Sequence, residues 1–307
     1  MGLACDAPQL LCPLKDAGLN YPAMPDLPEE TSATVNRAQV RFAFTAAILS
    51  MFVGALLGIV LTLGLAGPLL PGDDLPRWTI LVSEAFIVVP LLVILRNRKM
   101  PLVATFRLGN VAPVIWRDAL IIAVGVTVLI DELDRLIAMV FPLPEGLQNG
   151  LNFLSFSTPF EALLVIGGAA VVAPIAEEMI FRGFFQGQLE TGYGDPTRAV
   201  VYSALLFMIL HFNPWWALQI YLLGMVLGYL TWRTGSIWPA IVLHALNNLL
   251  AVLLASSGEA GPAWYAVGGH VSPLWILVAA IMTYAGFHSL MANTQRDHQL
   301  PEGGIVA

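Results

Sequence analysis

The feature that most constrains the fold is a series of apolar stretches, each close to the length that crosses a lipid bilayer. A transmembrane helix needs about 20 consecutive apolar residues, and the 307-residue chain offers eight candidates. They cover residues 40–66, 78–95, 114–130 (a continuation to 141 is left open), 160–185, 199–212, 215–231, 237–255 and 273–290. The sequence therefore predicts an all-α, polytopic membrane protein with about eight transmembrane helices.

The composition agrees with a protein whose main solvent is lipid. Hydrophobic residues make up 57% of the chain and charged residues only 11%, whereas soluble domains carry about 25% charged residues. The 14 Lys and Arg residues are scattered and the formal net charge is −7, so nucleic-acid binding is not indicated. The lipid bilayer is the expected partner, and the sequence leaves the oligomeric state open.

The two ends of the chain differ from its apolar middle. Residues 1–37 are rich in proline and acidic side chains and lack the apolar region of a secretory signal. Cys5 and Cys12 lie there at a spacing that matches no metal or redox motif, so we interpret them as free thiols. We predict a disordered cytoplasmic tail over 1–37, a membrane domain over 38–292 and a short cytoplasmic tail over 293–307.

The distribution of basic residues predicts the orientation of the chain in the membrane. With eight spans, one face carries most of the Lys and Arg residues, around Arg96–Arg117, Arg198, Arg233 and Arg296, and the other face carries only Arg77 and Arg135. Cytoplasmic loops are the ones enriched in Lys and Arg. Both termini are therefore predicted to be cytoplasmic, in the plasma membrane if the cell is prokaryotic.

The fourth apolar stretch contains three charged side chains within six positions, Glu177, Glu178 and Arg182. Ionisable groups at membrane depth cost at least about 3 kcal/mol each. Glu178 and Arg182 are an i,i+4 pair on one helical face, so we interpret them as a structural ion pair, and Glu177 as the working carboxylate. Pro174 lies just before them and should kink or locally open the helix. A purely structural role for all three charges is the competing interpretation.

Two later apolar stretches carry further polar residues. His211 follows Phe207 by four positions, and Asn248 follows His244 by four, with Asn247 beside it. At 1.5 Å per residue, Glu177, His211, His244 and Asn248 lie at similar depths in three separate spans. Facing inward, they would converge on one polar pocket.

Such a pocket supports two related forms of hydrolysis, which the residues alone do not separate. Glu177, His211 and His244 can hold Zn²⁺ or another divalent metal that activates water. Without metal, Glu177 can act as a general base on a water oriented by His211, while His244 and Asn248 donate hydrogen bonds to the oxyanion. Both routes end in attack of water on an amide carbonyl.

The motifs Glu177-Glu-x-x-x-Arg182, Phe207-x-x-x-His211 and His244-x-x-x-Asn248 together resemble the CPBP family. This family comprises CAAX prenyl endopeptidases and bacteriocin-processing or immunity proteins, also called Abi proteins. The resemblance covers about residues 160–255. It implies a glutamate-dependent intramembrane endopeptidase with Glu177, His211, His244 and Asn248 in the catalytic site, acting on a prenylated C-terminus, a leader peptide or another membrane protein.

Two other classes of function remain open at this point. The chain can be a non-catalytic immunity or scaffold protein of the same fold, or a transporter that uses intramembrane ionisable residues. Transporters commonly show paired halves, and the sequence has no visible internal repeat. Glu84, an isolated acid in the second apolar stretch, either lines the polar cavity or bonds to a nearby hydroxyl or backbone group.

Overall fold

The computed structural model describes residues 35–69, 74–150, 152–257 and 262–297. The described residues are almost entirely helical, which confirms the all-α fold class. The long helices are α1 (Arg37–Val60), α2 (Leu75–Phe86), α3 (Val89–Asn97), α5 (Pro113–Val140), α10 (Pro196–Leu210), α11 (Ala217–Thr234), α12 (Trp238–Ser257) and α13 (Pro273–Asp297), and the short ones are α4 (Leu102–Thr105) and α6 (Glu145–Gly150). Helices α7 (Pro159–Val165), α8 (Ala173–Glu178) and α9 (Gln186–Tyr193) form one longer helical run.

Each predicted apolar stretch contains helix, and six helical segments within the described residues are long and apolar enough to cross a membrane. These six segments are Arg37–Gly64, Leu75–Asn97, Pro113–Val140, Pro159–Tyr193, Trp238–Ser257 and Pro273–Thr294. Helix α10 is a shorter apolar helix, and α11 lies outside the six. The two helices pack against each other. The structure thus describes a polytopic membrane protein.

Several helices end at other residues than the predicted ones. The fourth span continues from residue 185 to Tyr193, where Gly194 ends it in the left-handed conformation at φ 66°. The third continues through Asp131 to Val140. Helix α13 extends to Asp297, past the predicted end of the membrane domain at 292. The predicted tail with its two cysteines lies, up to residue 34, outside the described residues.

The helical run Pro159–Tyr193 is not a uniform α-helix. π-helical segments, Ile166–Val172 and Met179–Phe185, flank the single α-helical stretch α8. Pro174 lies in the first turn of α8, just after the first π segment. A proline cannot donate the hydrogen bond that a continuous α-helix requires at this position. The local opening predicted from Pro174 is present, and it places both acids between two wider turns.

Two hydrophobic clusters surround this run. One is formed largely by α1, α3, the second π segment, α9 and α10, and it includes Phe181, Phe184 and Phe185, each almost fully buried. The other joins α5, α11, α12 and α13. The acidic residues lie where α8 packs against α2 and α12.

A small loop structure packs against α5 near its Val140 end. Strands β1 (Ala266–Val267) and β2 (His270–Val271) pair antiparallel, with Ala266 opposite Val271. Glu132 on α5 accepts hydrogen bonds from the backbone of Val271 at 2.7 Å and from the ring of His270 at 2.8 Å. Side chains at this end of α5 thus anchor the loop.

Candidate active site

Glu178 and Arg182 form an ion pair in the interior. Arg182 Nη1 lies 2.8 Å from Glu178 Oε1, and neither side chain has any solvent exposure. Arg182 also donates through Nη2 to the carbonyl of Gly224 at 3.3 Å, and its guanidinium lies 4.2 Å from the centroid of the Phe207 ring. Paired charges and a cation–π contact reduce the cost of burying a guanidinium.

His244 contacts both glutamates through its two ring nitrogens. Its Nδ1 lies 2.9 Å from Glu178 Oε1, and its Nε2 lies 3.6 Å from Glu177 Oε2. Because a carboxylate accepts hydrogen bonds, Nδ1 carries a proton, and Glu178 thereby fixes the orientation of the ring. Glu178 is more than the counter-ion of Arg182: it also holds His244 so that Nε2 faces Glu177.

Glu177 is the less satisfied of the two acids. Its residue is 8% exposed, yet its Oε2 is buried and has no hydrogen-bond partner among the described residues. Buried carboxylate oxygens are normally paired. The Oε2 of Glu178 is likewise buried without a partner in the described part of the chain. These unused acceptor atoms can receive a hydrogen bond from a donor outside the chain, such as water.

Asn248 lies on the same helix as His244 and ties α12 to the first π segment. Its Nδ2 donates to the carbonyl of Ala169 at 2.9 Å. An amide nitrogen has two hydrogens, so this bond leaves one of them for another acceptor. Asn247 donates weakly to Asn248 Oδ1, at 3.5 Å.

His211 lies at one end of its helix. It is the C-cap residue of α10 and is exposed, and its Nδ1 lies 2.7 Å from the carbonyl of Phe207. Since a carbonyl only accepts, Nδ1 is the protonated nitrogen and Nε2 keeps its lone pair. The Phe207 ring contacts both histidines, with its centroid 4.5 Å from that of His211 and 5.6 Å from that of His244.

The three residues predicted as metal ligands do not come together. Glu177 and His244 are adjacent, but within the described residues no three His, Cys, Asp or Glu side chains are grouped so that they could hold a metal ion. A structural or catalytic zinc site normally has at least three protein ligands. The described side chains do not supply that number of ligands in one place.

Two glycines on α11 support the site, and neither was singled out from the sequence. Arg182 and Gln186, four residues apart, donate to the carbonyls of Gly224 and Gly228, also four apart, at 3.3 and 3.0 Å. A Cβ at Gly224 would lie 3.1 Å from the Cβ of Ala204, so the helices approach closely there. The spacing Gly224-x-x-x-Gly228 is the sequence signal, because small residues four apart allow membrane helices to pack closely.

Comparison with known families identifies the same part of the chain. Residues 159–250 match the family described as Type II CAAX prenyl endopeptidase Rce1-like. Neither the curated proteins nor the solved structures contain a match. The matched region holds all three motifs on which the CPBP resemblance was based, and it confirms that resemblance. The central region of this membrane protein is therefore similar to the CAAX prenyl endopeptidases of that family.

Proposed function

We propose that this protein is an intramembrane endopeptidase that hydrolyses a peptide bond in a membrane-associated substrate. The observation that carries the proposal is the buried His244 ring, held by Glu178 on one nitrogen and facing Glu177 with the other. Glu177 is not a member of the Glu178–Arg182 ion pair, and its Oε2 makes no hydrogen bond among the described residues. The family match supports an endopeptidase in general.

In the proposed reaction Glu177 is the general base. It takes a proton from water as the water oxygen attacks the peptide carbonyl carbon, and a tetrahedral oxyanion forms. In this step His244 is an imidazolium with a proton on each ring nitrogen: Nδ1 donates to Glu178 and Nε2 donates to the oxyanion, while Asn248 donates its second amide hydrogen. The proton on Glu177 then moves to the amide nitrogen, the C–N bond breaks, and the products are a carboxylic acid and an amine.

His211 has a distinct part in this proposal. Its Nδ1 is committed to the backbone of Phe207, so the free Nε2 is an acceptor that can orient the attacking water. His211 is exposed at the end of α10, so water can reach its ring. A metal-assisted route is the second form of the same reaction, and Zn²⁺ or another divalent ion would require His211 to move toward Glu177 and His244.

The substrate class and the orientation are part of the proposal. A prenylated C-terminal peptide is the substrate that the family match favours, and a leader peptide and a transmembrane segment are the alternatives. We place both termini on the cytoplasmic side, because the basic residues cluster at one end of the helices and the described residues hold an even number of membrane-length segments, six. Labelling of single introduced cysteines from outside sealed cells tests this orientation.

The decisive experiment measures cleavage by the purified full-length protein in detergent. The substrates are three sets of fluorescence-quenched peptides: prenylated, leader-like and apolar. Each set is incubated with the wild-type protein, with Glu177→Gln, and with Glu145→Gln as a matched control at an exposed position. We expect cleavage of one set by wild type and Glu145→Gln, and at least ~10²-fold less by Glu177→Gln. Parallel reactions with a chelator decide whether metal is needed.

The competing function is a non-catalytic immunity or scaffold protein with the same core. It predicts that Glu177→Gln behaves as wild type, both in cleavage and in a cellular assay of the protein's role. That result would overturn the endopeptidase proposal and leave the fold assignment intact.

A further inference from the structure

Glu84 is an acid in a membrane-spanning helix that no motif accounts for. It lies on α2, inside the membrane-length segment Leu75–Asn97. Its Oε2 is buried and has no hydrogen-bond partner among the described residues. An unpaired carboxyl at this depth is costly, so a chain under no functional constraint would be expected to replace it with an apolar residue.

The packing of α2 brings Glu84 to the acidic motif. Helix α2 contacts both the first π segment and α8. The approach is close at Gly168, where a Cβ would lie only 3.3 Å from the Cα of Leu81. Glu84 follows Leu81 by about one helical turn and therefore lies on the same face. The glycine thus allows α2 to place Glu84 beside the site.

The group that Glu84 interacts with is Glu177. The two carboxylates interact electrostatically, and each has a buried Oε2 without a hydrogen-bond partner in the part of the chain that the structure describes. Two ionised carboxylates only accept hydrogen bonds, so they do not bond to each other without a donor between them. A single water molecule supplies two donor hydrogens, and a buried water needs two to four polar partners. Glu84, Glu177 and His244 Nε2 are such a set.

We propose that Glu84 is a positioning residue of the active site, which holds the attacking water together with Glu177. The proposal rests on the endopeptidase function proposed above. Glu84 does not accept the proton in the reaction; it fixes the second hydrogen of the water, so that the oxygen lone pair faces the substrate carbonyl. Correct orientation of a reacting water lowers the barrier to attack without changing the affinity for the peptide.

The test compares kinetics and stability for variants of the full-length protein. Glu84→Leu removes the carboxyl, Glu84→Met does so with an unbranched and more adaptable side chain, and Glu84→Gln keeps a hydrogen-bonding group of equal length. Thr283→Val is the matched control, since Thr283 Oγ1 is also buried without a described partner but lies on α13. We expect kcat to fall by about 10-fold or more in the Leu and Met variants, with KM within about 3-fold of wild type.

The stability readout separates positioning from structure. Removing an unpaired buried carboxyl should leave the melting temperature at or above that of wild type, while kcat falls. Glu84→Gln should retain more activity than the two apolar variants, and Thr283→Val should keep wild-type kcat. Wild-type kcat in folded Leu or Met variants, or no advantage of Gln over them, would overturn the proposal and leave the endopeptidase standing.

A second measurement does not depend on activity. Melting temperatures of Glu84→Leu, Glu177→Gln and the double variant form a double-mutant cycle. The effects should be non-additive if the two side chains share one water. Additive effects overturn the role of Glu84 whether or not the wild-type protein cleaves any peptide, so this failure is distinguishable from failure of the proposed function.

Discussion

The molecule holds two clusters that combine acids, a histidine and an arginine, and they differ in how completely their groups are paired. The inner cluster is formed by Glu177, Glu178, Arg182 and His244. In it, two carboxylate oxygens and Arg182 Nε are buried without a hydrogen-bond partner among the described residues. In the outer cluster, formed by Asp131, Glu132, Arg135, Tyr265 and His270, no carboxylate oxygen is in that condition.

The outer cluster has a structural role. Arg135 lies 3.0 Å from Asp131, the Tyr265 hydroxyl donates to Asp131 at 2.8 Å, and His270 is paired with Glu132. His270 is 41% exposed, so solvent screens this pair. The two clusters thus use the same residue types differently. The buried acceptors without hydrogen bonds in the inner cluster are what distinguish it as the candidate active site.

The largest effect is expected from breaking the inner ion pair. Glu178→Ala leaves Arg182 buried without a counter-charge and should cost about 3–5 kcal/mol of stability, with loss of folded protein from the membrane. Membrane yield and melting temperature are the measurements. Loss of activity at wild-type stability would mean that Glu178 is the working carboxylate and Glu177 the structural one.

Replacing both members of the ion pair makes this test more specific. The double variant Glu178→Leu with Arg182→Met removes both charges and should recover much of the stability, because buried ion pairs can be replaced by apolar residues. It should still be inactive, since His244 loses the acceptor at 2.9 Å that orients it. Recovery of both stability and activity would show that Glu178 has no part in holding His244.

The next effect is on turnover alone. His244→Ala should lower turnover by about 10²–10³-fold, the loss typical of an oxyanion donor, and should retain folded protein because the Glu178–Arg182 pair remains. Cleavage rate and size-exclusion profile are measured together, with His270→Ala as the matched histidine control at wild-type rate. Equal rates for the two variants would contradict the assignment of His244.

A smaller effect is expected in the outer cluster. Glu132→Gln weakens the pairing with His270 and should cost less than about 1 kcal/mol, as is usual for exposed pairs, with no change in turnover. Thermal unfolding and cleavage rate check this. A loss comparable to that of Glu178→Ala would show that the two clusters are not as different as their exposure indicates.

The smallest effect concerns pH. Burial, with the hydrogen bond to Asp131, raises the pKa of Tyr265 above its ordinary value of 10.0. The folded state then binds this proton more tightly than the unfolded chain, so the contribution to stability is complete below pH 10 and declines as the pH rises above it. Melting curves between about pH 9 and 11 should show a decline in wild type that is smaller in Tyr265→Phe.

The apolar stretches and the motif spacings were sufficient to predict the fold class and the family. Hydropathy specifies helices in lipid, because the backbone must satisfy its own hydrogen bonds there. The i,i+4 spacing of Glu178 and Arg182 likewise placed them in contact, since it is a local property of one helix. Pro174 predicted the local opening for the same reason.

Contacts between helices could only come from the tertiary structure. Helix rotation and approach decide that His244 lies between both glutamates and that the Phe207 ring contacts both histidines. They also decide that the carbonyls of Gly224 and Gly228 accept hydrogen bonds from Arg182 and Gln186. Periodicity gives the depth of a side chain but not the direction of its helix face. The sequence by itself therefore determined the membrane helices and the candidate residues, and packing decided which of them meet.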